Sequence, residues 1–211
     1  MAGDAQSAYA PLRVVVLLSG GGSTMAALLE PPAGSDHGFT VVAVGSDRPE
    51  AAGLERARSA GVDTFVVEPG GHRTRAEWNR ALADAVAEHR PDLVVSAGFM
   101  RILDAEFVAR FAPWLINTHP ALLPAFPGAT AVADALAYGV RVTGATVHVV
   151  DDGIDSGPII AQRAVEVYPT DDQATLHERI KSVERQMLVT VVSRLAETRT
   201  LRISGRRVHL T

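Results

Sequence analysis

Three stretches of the chain hold residue types that can do chemistry. Asn117-Thr118-His119-Pro120 places a side-chain amide and an imidazole two positions apart, at the carboxyl end of an apolar run over 114–117. Asp151-Asp152-Gly153-Ile154-Asp155-Ser156-Gly157-Pro158 is an acidic, glycine-containing loop further along. A carboxylate beside His119 would raise the imidazole pKa and hold its protonated form. Asn and His⁺ would then stabilise a tetrahedral oxyanion while His and Asp move protons, which is what acyl-type transfer to an amine requires. Residue type alone leaves other readings open. A histidine after a strand often serves only to hydrogen-bond the fold, and an Asp-Asp-Gly loop is often a solvated turn or, less often, a calcium loop.

The third stretch is Ser19-Gly20-Gly21-Gly22-Ser23-Thr24, between a strand-sized run and a helix. Glycines let backbone approach a ligand, and a helix N-terminus points free N–H groups at an anion. Gly21, Gly22, Ser23 and Thr24 therefore suit one phosphate monoester. A nucleotide-triphosphate loop would need Gly-Lys-Ser/Thr, which is missing. A dinucleotide loop would need a glycine where Met25 stands, although Asp47 could pass for its ribose-binding acid. A bare strand–helix turn is the remaining alternative. Glu184 falls on or beside the apolar stripe of a long helix, where a carboxylate needs a partner. Lys181 lies one turn earlier and could pair with it or reach the phosphate instead.

These residues need a scaffold, and the hydrophobic pattern supplies one. Strands are expected at 14–18, 40–44, 63–67, 92–96 and 114–117, and helices at 23–30, 49–60, 73–89 and 104–111. Pro31-Pro32, Gly61 and Pro91 stop three of these helices. The strands are apolar on both faces, as in a parallel sheet covered by helices on both sides. The expected fold is α/β, a Rossmann-like, mostly parallel twisted sheet. Three prolines within 120–127 make that stretch a rigid loop. A helix follows at 131–138, strands at 143–150 and 159–167, a long helix from 172 to about 197, and a C-terminal β-hairpin over 201–210. Residues 1–10 read as a disordered tail and 11–211 as a single domain.

With 47% hydrophobic residues in 211, the chain can build a core without staples, and having no cysteine it has no disulfide framework or thiolate zinc site. A net charge of −4 argues against nucleic acid as a partner. The N-terminus lacks a secretory signal and no apolar run reaches membrane-spanning length, so a cytoplasmic location is expected.

Four motifs in order, Leu17-Leu-Ser-Gly-Gly-Gly-Ser23, Ser96-Ala-Gly-Phe-Met-Arg-Ile-Leu103, Asn117-Thr-His-Pro-Ala-Leu-Leu-Pro124 and Asp155-Ser-Gly-Pro158, span nearly the whole chain and resemble the phosphoribosylglycinamide formyltransferases. The resemblance implies that 10-formyltetrahydrofolate donates its formyl group to the amine of glycinamide ribonucleotide in purine synthesis, with no metal. It implies that Asn117 and His119 bind the formyl oxygen and that Asp155 pairs with His119 and relays a proton. Gly98, Met100 and Pro120 would lie at the ribonucleotide, Glu184 would hold its ribose hydroxyls, and Lys181 would serve the same substrate. Arg75, Arg101, Ile102 and Leu103 would contact the folate, Val108 and Leu115 would line its pterin pocket, and Asp151, Asp152 and Gly153 would close over it. Without the resemblance, Met100 and Ile102 read as core packing. Thr118 and Ala121 replace commoner Ile and Ser, Thr24 stands where Asn is common, and no histidine follows Pro127-Gly128, so a pH-gating role for that loop lacks its titrating group. His148, one strand away, is expected to support the site.

Partners are thus small molecules, with a homodimer left open. Formyltransferases acting on charged tRNA or nucleotide sugars, and formyltetrahydrofolate hydrolases, are the sister readings. The tRNA enzymes usually add a C-terminal domain and the hydrolases an N-terminal one, for which this chain has no room. A non-catalytic nucleotide-binding module is the alternative of a different class.

Overall fold

The computed structural model describes residues 10–30 and 37–211. Chain order is β1 (Leu12–Leu18), α1 (Ser23–Leu29), β2 (Phe39–Ser46), α2 (Ala52–Ser59), β3 (Asp63–Val66), α3 (Arg75–Glu88), β4 (Leu93–Ser96), α4 (Ala105–Phe111), β5 (Leu115–His119), α5 (Ala131–Tyr138), β6 (Val142–Val149), β7 (Ile159–Glu166), α6 (Gln173–Thr198), β8 (Arg202–Ser204) and β9 (Arg207–His209). Pro31 and Pro32 lie outside the described residues, as does the expected tail apart from Ala10, whose carbonyl accepts a hydrogen bond from Arg199.

Seven strands run in the order β3-β2-β1-β4-β5-β6-β7, and β8 pairs with β9 as a separate hairpin. β1 to β5 are mutually parallel, while β6 runs antiparallel to both β5 and β7. The strands alternate their side chains between two cores, as period-2 geometry requires. Val14, Val16 and Leu18 of β1 face the core built with α1, α2, α5 and α6, and Val15 and Leu17 face the one built with α3 and α4. Among the described residues no helix is long and apolar enough to cross a membrane.

Capping explains where three helices begin. The Thr74 hydroxyl accepts from the Glu77 N–H, so α3 starts at Arg75 and not at 73. Asp104 caps α4 in the same way, and Asp172 with Thr175 forms a reciprocal capping pair at α6. A short 3-10 turn, Pro69–Gly71, precedes α3 where a loop was expected.

α2 starts at Ala52 and not at 49, and the departure that matters for the site is β5, which extends to His119 and does not stop at 117. Its parallel pairing with β4 ends at Asn117 opposite Ser96, but its antiparallel pairing with β6 continues through Thr118 opposite Val147 and His119 opposite Thr146. The pairing partner, not local propensity, sets the length.

The glycine loop is held by close packing at one position. Gly22 opens α1 at φ 67, and a Cβ there would stand 2.7 Å from the Gly53 Cα. Gly20 and Gly21 have nothing within 4 Å of their hypothetical Cβ atoms. Gly22→Ala is therefore expected to cost about 1–3 kcal/mol, from left-handed strain and overpacking together. A lowered urea midpoint at unchanged slope would show this, and an unchanged midpoint would contradict it.

Candidate active site

Strand order reverses between β1 and β4, and open α/β sheets place ligands in the crevice beyond the strand ends at such a point. The 19–22 loop leaves β1 there, the 97–104 turn leaves β4, and Asn117 and His119 sit at the end of β5. Being two apart on one strand, they share a face. Opposite Asn117 on β6 is His148, and the 150–158 loop that follows β6 brings Asp155 back over both.

The four side chains meet. His119 is buried, with Nδ1 3.3 Å from Asp155 Oδ2 and Nε2 donating to the Phe126 carbonyl at 2.7 Å. Both partners are acceptors, so each ring nitrogen has use for a proton. His148 donates from Nδ1 to the Val149 carbonyl at 3.0 Å, and its Nε2 lies 3.1 Å from the Asn117 amide nitrogen and 3.5 Å from Asp155 Oδ1, accepting from the amide when bare and donating to the carboxylate when protonated. The same amide nitrogen lies 3.4 Å from Asp155 Oδ1. His148 thus orients Asn117, as expected of a supporting residue.

Asp155 is held in the left-handed region, at φ 50, and its Oδ2 accepts from the Gly128 N–H at 2.8 Å. Burial pushes its carboxyl up, but contacts with His148, the Gly128 N–H and His119 outweigh this and bring it down to about 2. The group is a carboxylate at neutral pH. Gly128 and the Phe126 carbonyl were missed from sequence. The signal for Gly128 was its place directly after Pro127 in the proline loop, and the structure gives it φ 92.

Beside this cluster opens a cavity of about 440 Å³. Asn117, His119, Pro120 and Asp155 line it, with Gly98, Met100, Arg101, Ile102 and Leu103 from the β4 turn and Asp151 and Gly153 from the acidic loop. Met100 is 63% and Ile102 55% exposed, so the core-packing alternative is wrong for both. Gln173 and His177, from the start of α6, also face the cavity and were not anticipated.

Other expected contacts fall elsewhere. Val108 of α4 and Leu115 of β5 are buried in the core that also holds Trp78 and Leu82, and they do not line the cavity. Asp152 is not on the wall either. Arg75 stands behind the β4 turn and donates to the Ile102 carbonyl at 2.5 Å. Arg101 lines the cavity but spends its Nε on Asp47 at 2.6 Å. That pairing seals Asp47 away and removes it as a ribose-binding acid, so the dinucleotide alternative loses its support. Asp151 accepts from the Gly153 N–H and the Ser156 hydroxyl, bracing its own loop. Among the described residues no three His, Asp or Glu side chains are grouped to hold a metal. Gly21, Gly22, Ser23, Thr24, Lys181 and Glu184 lie outside the cavity wall, where α1 packs against α6.

Glu184 is buried in the stripe of α6. Lys181 makes its ion pair with Glu178, at 3.9 Å, so the edge salt bridge to Glu184 is not formed. Burial pushes the Glu184 carboxyl up to about 7, against the pull of Lys181, a hydrogen bond from the Thr118 side chain, and Arg185. No sequence signal links Thr118 to Glu184, because tertiary contact alone brings them together. A carboxyl raised in the fold favours folding fully below its ordinary value, and that contribution is lost as pH rises through about 7. Glu184→Gln should therefore match the wild type near pH 4.5 and exceed it above pH 7, by at most roughly 3 kcal/mol. Thermal melts from pH 4.5 to 8.5 test this, and two parallel curves would contradict it.

Comparison with known proteins agrees with the geometry. Residues 12–192 match the model of the family described as formyl transferase. A phosphoribosylglycinamide formyltransferase of Mycobacterium tuberculosis is 55% identical over 197 residues, 93% of this chain and 90% of the relative. That of Escherichia coli is 38% identical over 188 residues, 89% of each chain. The crystal structure of glycinamide ribonucleotide transformylase 1 from Symbiobacterium toebii superimposes with a TM-score of 0.91 at 40% identity, covering 98% of both chains. In sequence and in fold alike, the chain belongs to the formyl transferase family.

Proposed function

We propose that this protein transfers the formyl group of 10-formyltetrahydrofolate to the amine of 5-phosphoribosylglycinamide. The observation that carries the proposal is the meeting of Asn117, His119 and Asp155 at the wall of a cavity that opens where strand order reverses. The names of the relatives support the choice of substrates.

The glycine loop and α6 take the ribonucleotide. Gly21 and Gly22, with the hydroxyls of Ser23 and Thr24, hold its phosphate, and the open space at Gly20 and Gly21 suits close approach of an anion. Lys181 adds positive charge and Glu184 holds the ribose hydroxyls. Gly98, Met100 and Pro120 lie between the two substrates. The 101–103 backbone and the 151–153 loop receive the folate.

The substrate amine attacks the formyl carbon, forming a C–N bond and a tetrahedral oxyanion. Asn117, giving up its long contact with Asp155, and His119, giving up the Phe126 carbonyl, donate hydrogen bonds to that oxygen. Asp155, ionised and 3.3 Å from the imidazole, orients the ring and helps carry the amine's proton to N10 of the folate. The C–N10 bond then breaks, and formylglycinamide ribonucleotide and tetrahydrofolate leave.

Purified protein given both substrates should release tetrahydrofolate in step with formylated product. Release without the amine acceptor would assign a hydrolase instead, and no release with both substrates present would end the proposal.

A further inference from the structure

The turn that leaves β4 is tied down on alternate groups. Ser19 donates from its N–H to the Gly98 carbonyl at 3.0 Å, and its hydroxyl accepts from the Met100 N–H at 2.8 Å. Arg75 grips the Ile102 carbonyl, and the Asn79 side chain accepts from the Asp104 N–H at 3.1 Å. The backbone N–H and C=O of Arg101 and Leu103 bond nothing among the described residues. What remains is a short run of backbone donors and acceptors on residues that line the cavity, with its neighbours tied on either side.

Arg101 is anchored differently, through charge. Its Nε stands 2.6 Å from Asp47 Oδ2, and the Asp47 side chain is 0% exposed. Arg48 is the other cation near that carboxylate, at 3.9 Å. Asp47 Oδ1 is buried with no hydrogen-bond partner among the described residues. A sealed carboxylate with one bare oxygen depends on its counter-ion, so the pair resists separation and Arg101 cannot swing freely. Asp47 directly follows Ser46, the last residue of β2, so the anchor ties the turn to the end of a sheet strand.

We propose that Asp47 is a positioning residue for the formyl donor, holding Arg101 so that the 101–103 backbone edge meets the folate in one fixed orientation. The inference rests on the substrate assignment above. It gives the Arg101 guanidinium a structural partner and leaves ligand contact to the backbone. Displacement of such an edge by a fraction of an ångström weakens binding of one substrate without touching the catalytic groups.

Asp47→Asn keeps the shape and an acceptor while deleting the charge. It should raise KM for 10-formyltetrahydrofolate about tenfold and leave KM for the ribonucleotide within about twofold. Arg101→Gln should do the same, and the double variant should be no worse than either single change, because both break one interaction. If folded Asp47→Asn enzyme keeps the wild-type folate KM, or if both KM values rise together, the inference is wrong, whatever happens to Tm. Should Asp47→Asn fail to fold, Arg101→Gln, whose side chain is 42% exposed, is judged by the same criterion. Wild-type protein inactive with both substrates would sink the substrate assignment instead. Tetrahydrofolate binding to wild type and variant, read from the fluorescence of Trp78 stacked on cavity-lining Phe99, then decides the inference by itself. Equal affinities would overturn it.

Discussion

His119→Ala should lower kcat by about a thousandfold or more while both KM values stay within a few-fold, because general acid–base and oxyanion contributions of this kind act on the transition state. The imidazole bridges two loops, with Asp155 at one nitrogen and the Phe126 carbonyl at the other. Its removal leaves Asp155 still held by the Gly128 N–H and Asn117, so the carboxylate stays in place without its proton partner. Single-turnover rates with saturating substrates measure the effect on chemistry, and a thermal melt checks that the buried truncation leaves the fold intact. A variant retaining a tenth of the wild-type rate would show that His119 is a structural hydrogen-bonder, and a non-catalytic module would lose nothing at all.

Asp155→Asn is expected to be nearly as severe, on the order of a thousandfold in kcat, since loss of the charge that orients and stabilises an imidazolium is costly even when shape is kept. Asparagine is the informative substitution because Asp155 sits at φ 50, a region that Asn tolerates and most residues avoid. Its oxygen can still accept from Gly128, so the loop should keep its place. Acid unfolding supplies a second readout. The carboxyl lies at about 2 in the fold against 3.8 ordinarily, so its stabilisation is present above about 4 and is lost as pH falls through 2. The variant lacks this contribution, roughly 2 kcal/mol, and its deficit should close as pH falls from 4 to 2. A kcat within tenfold of wild type would remove Asp155 from the mechanism.

The site was legible in sequence to an uneven degree. Asn117, His119 and Asp155 could be named because their types and motif context are distinctive, and the structure brings them together. Phe126 and Gly128 could not, because a backbone carbonyl and a backbone N–H carry no residue signature. Met100 and Ile102 were placed at the ligands by the resemblance alone, because apolar residues by themselves read as core, and both are exposed on a turn tied by Ser19 and Arg75. Val108 and Leu115 were assigned to a pocket wall, but burial on α4 and β5 places them one layer behind it.

What the sequence determined by itself is the set of elements and their order. Apolar alternation, helix-stopping glycines and prolines act over a few residues, so their effects can be read without a partner. What only the tertiary structure decided is which residues face one another. β5 carries His119 inside a strand because β6 extends the pairing, Glu184 titrates high because the core closes over it, and Arg101 turns to Asp47 from 54 positions away. Those outcomes come from burial and pairing between distant segments, which no local pattern encodes.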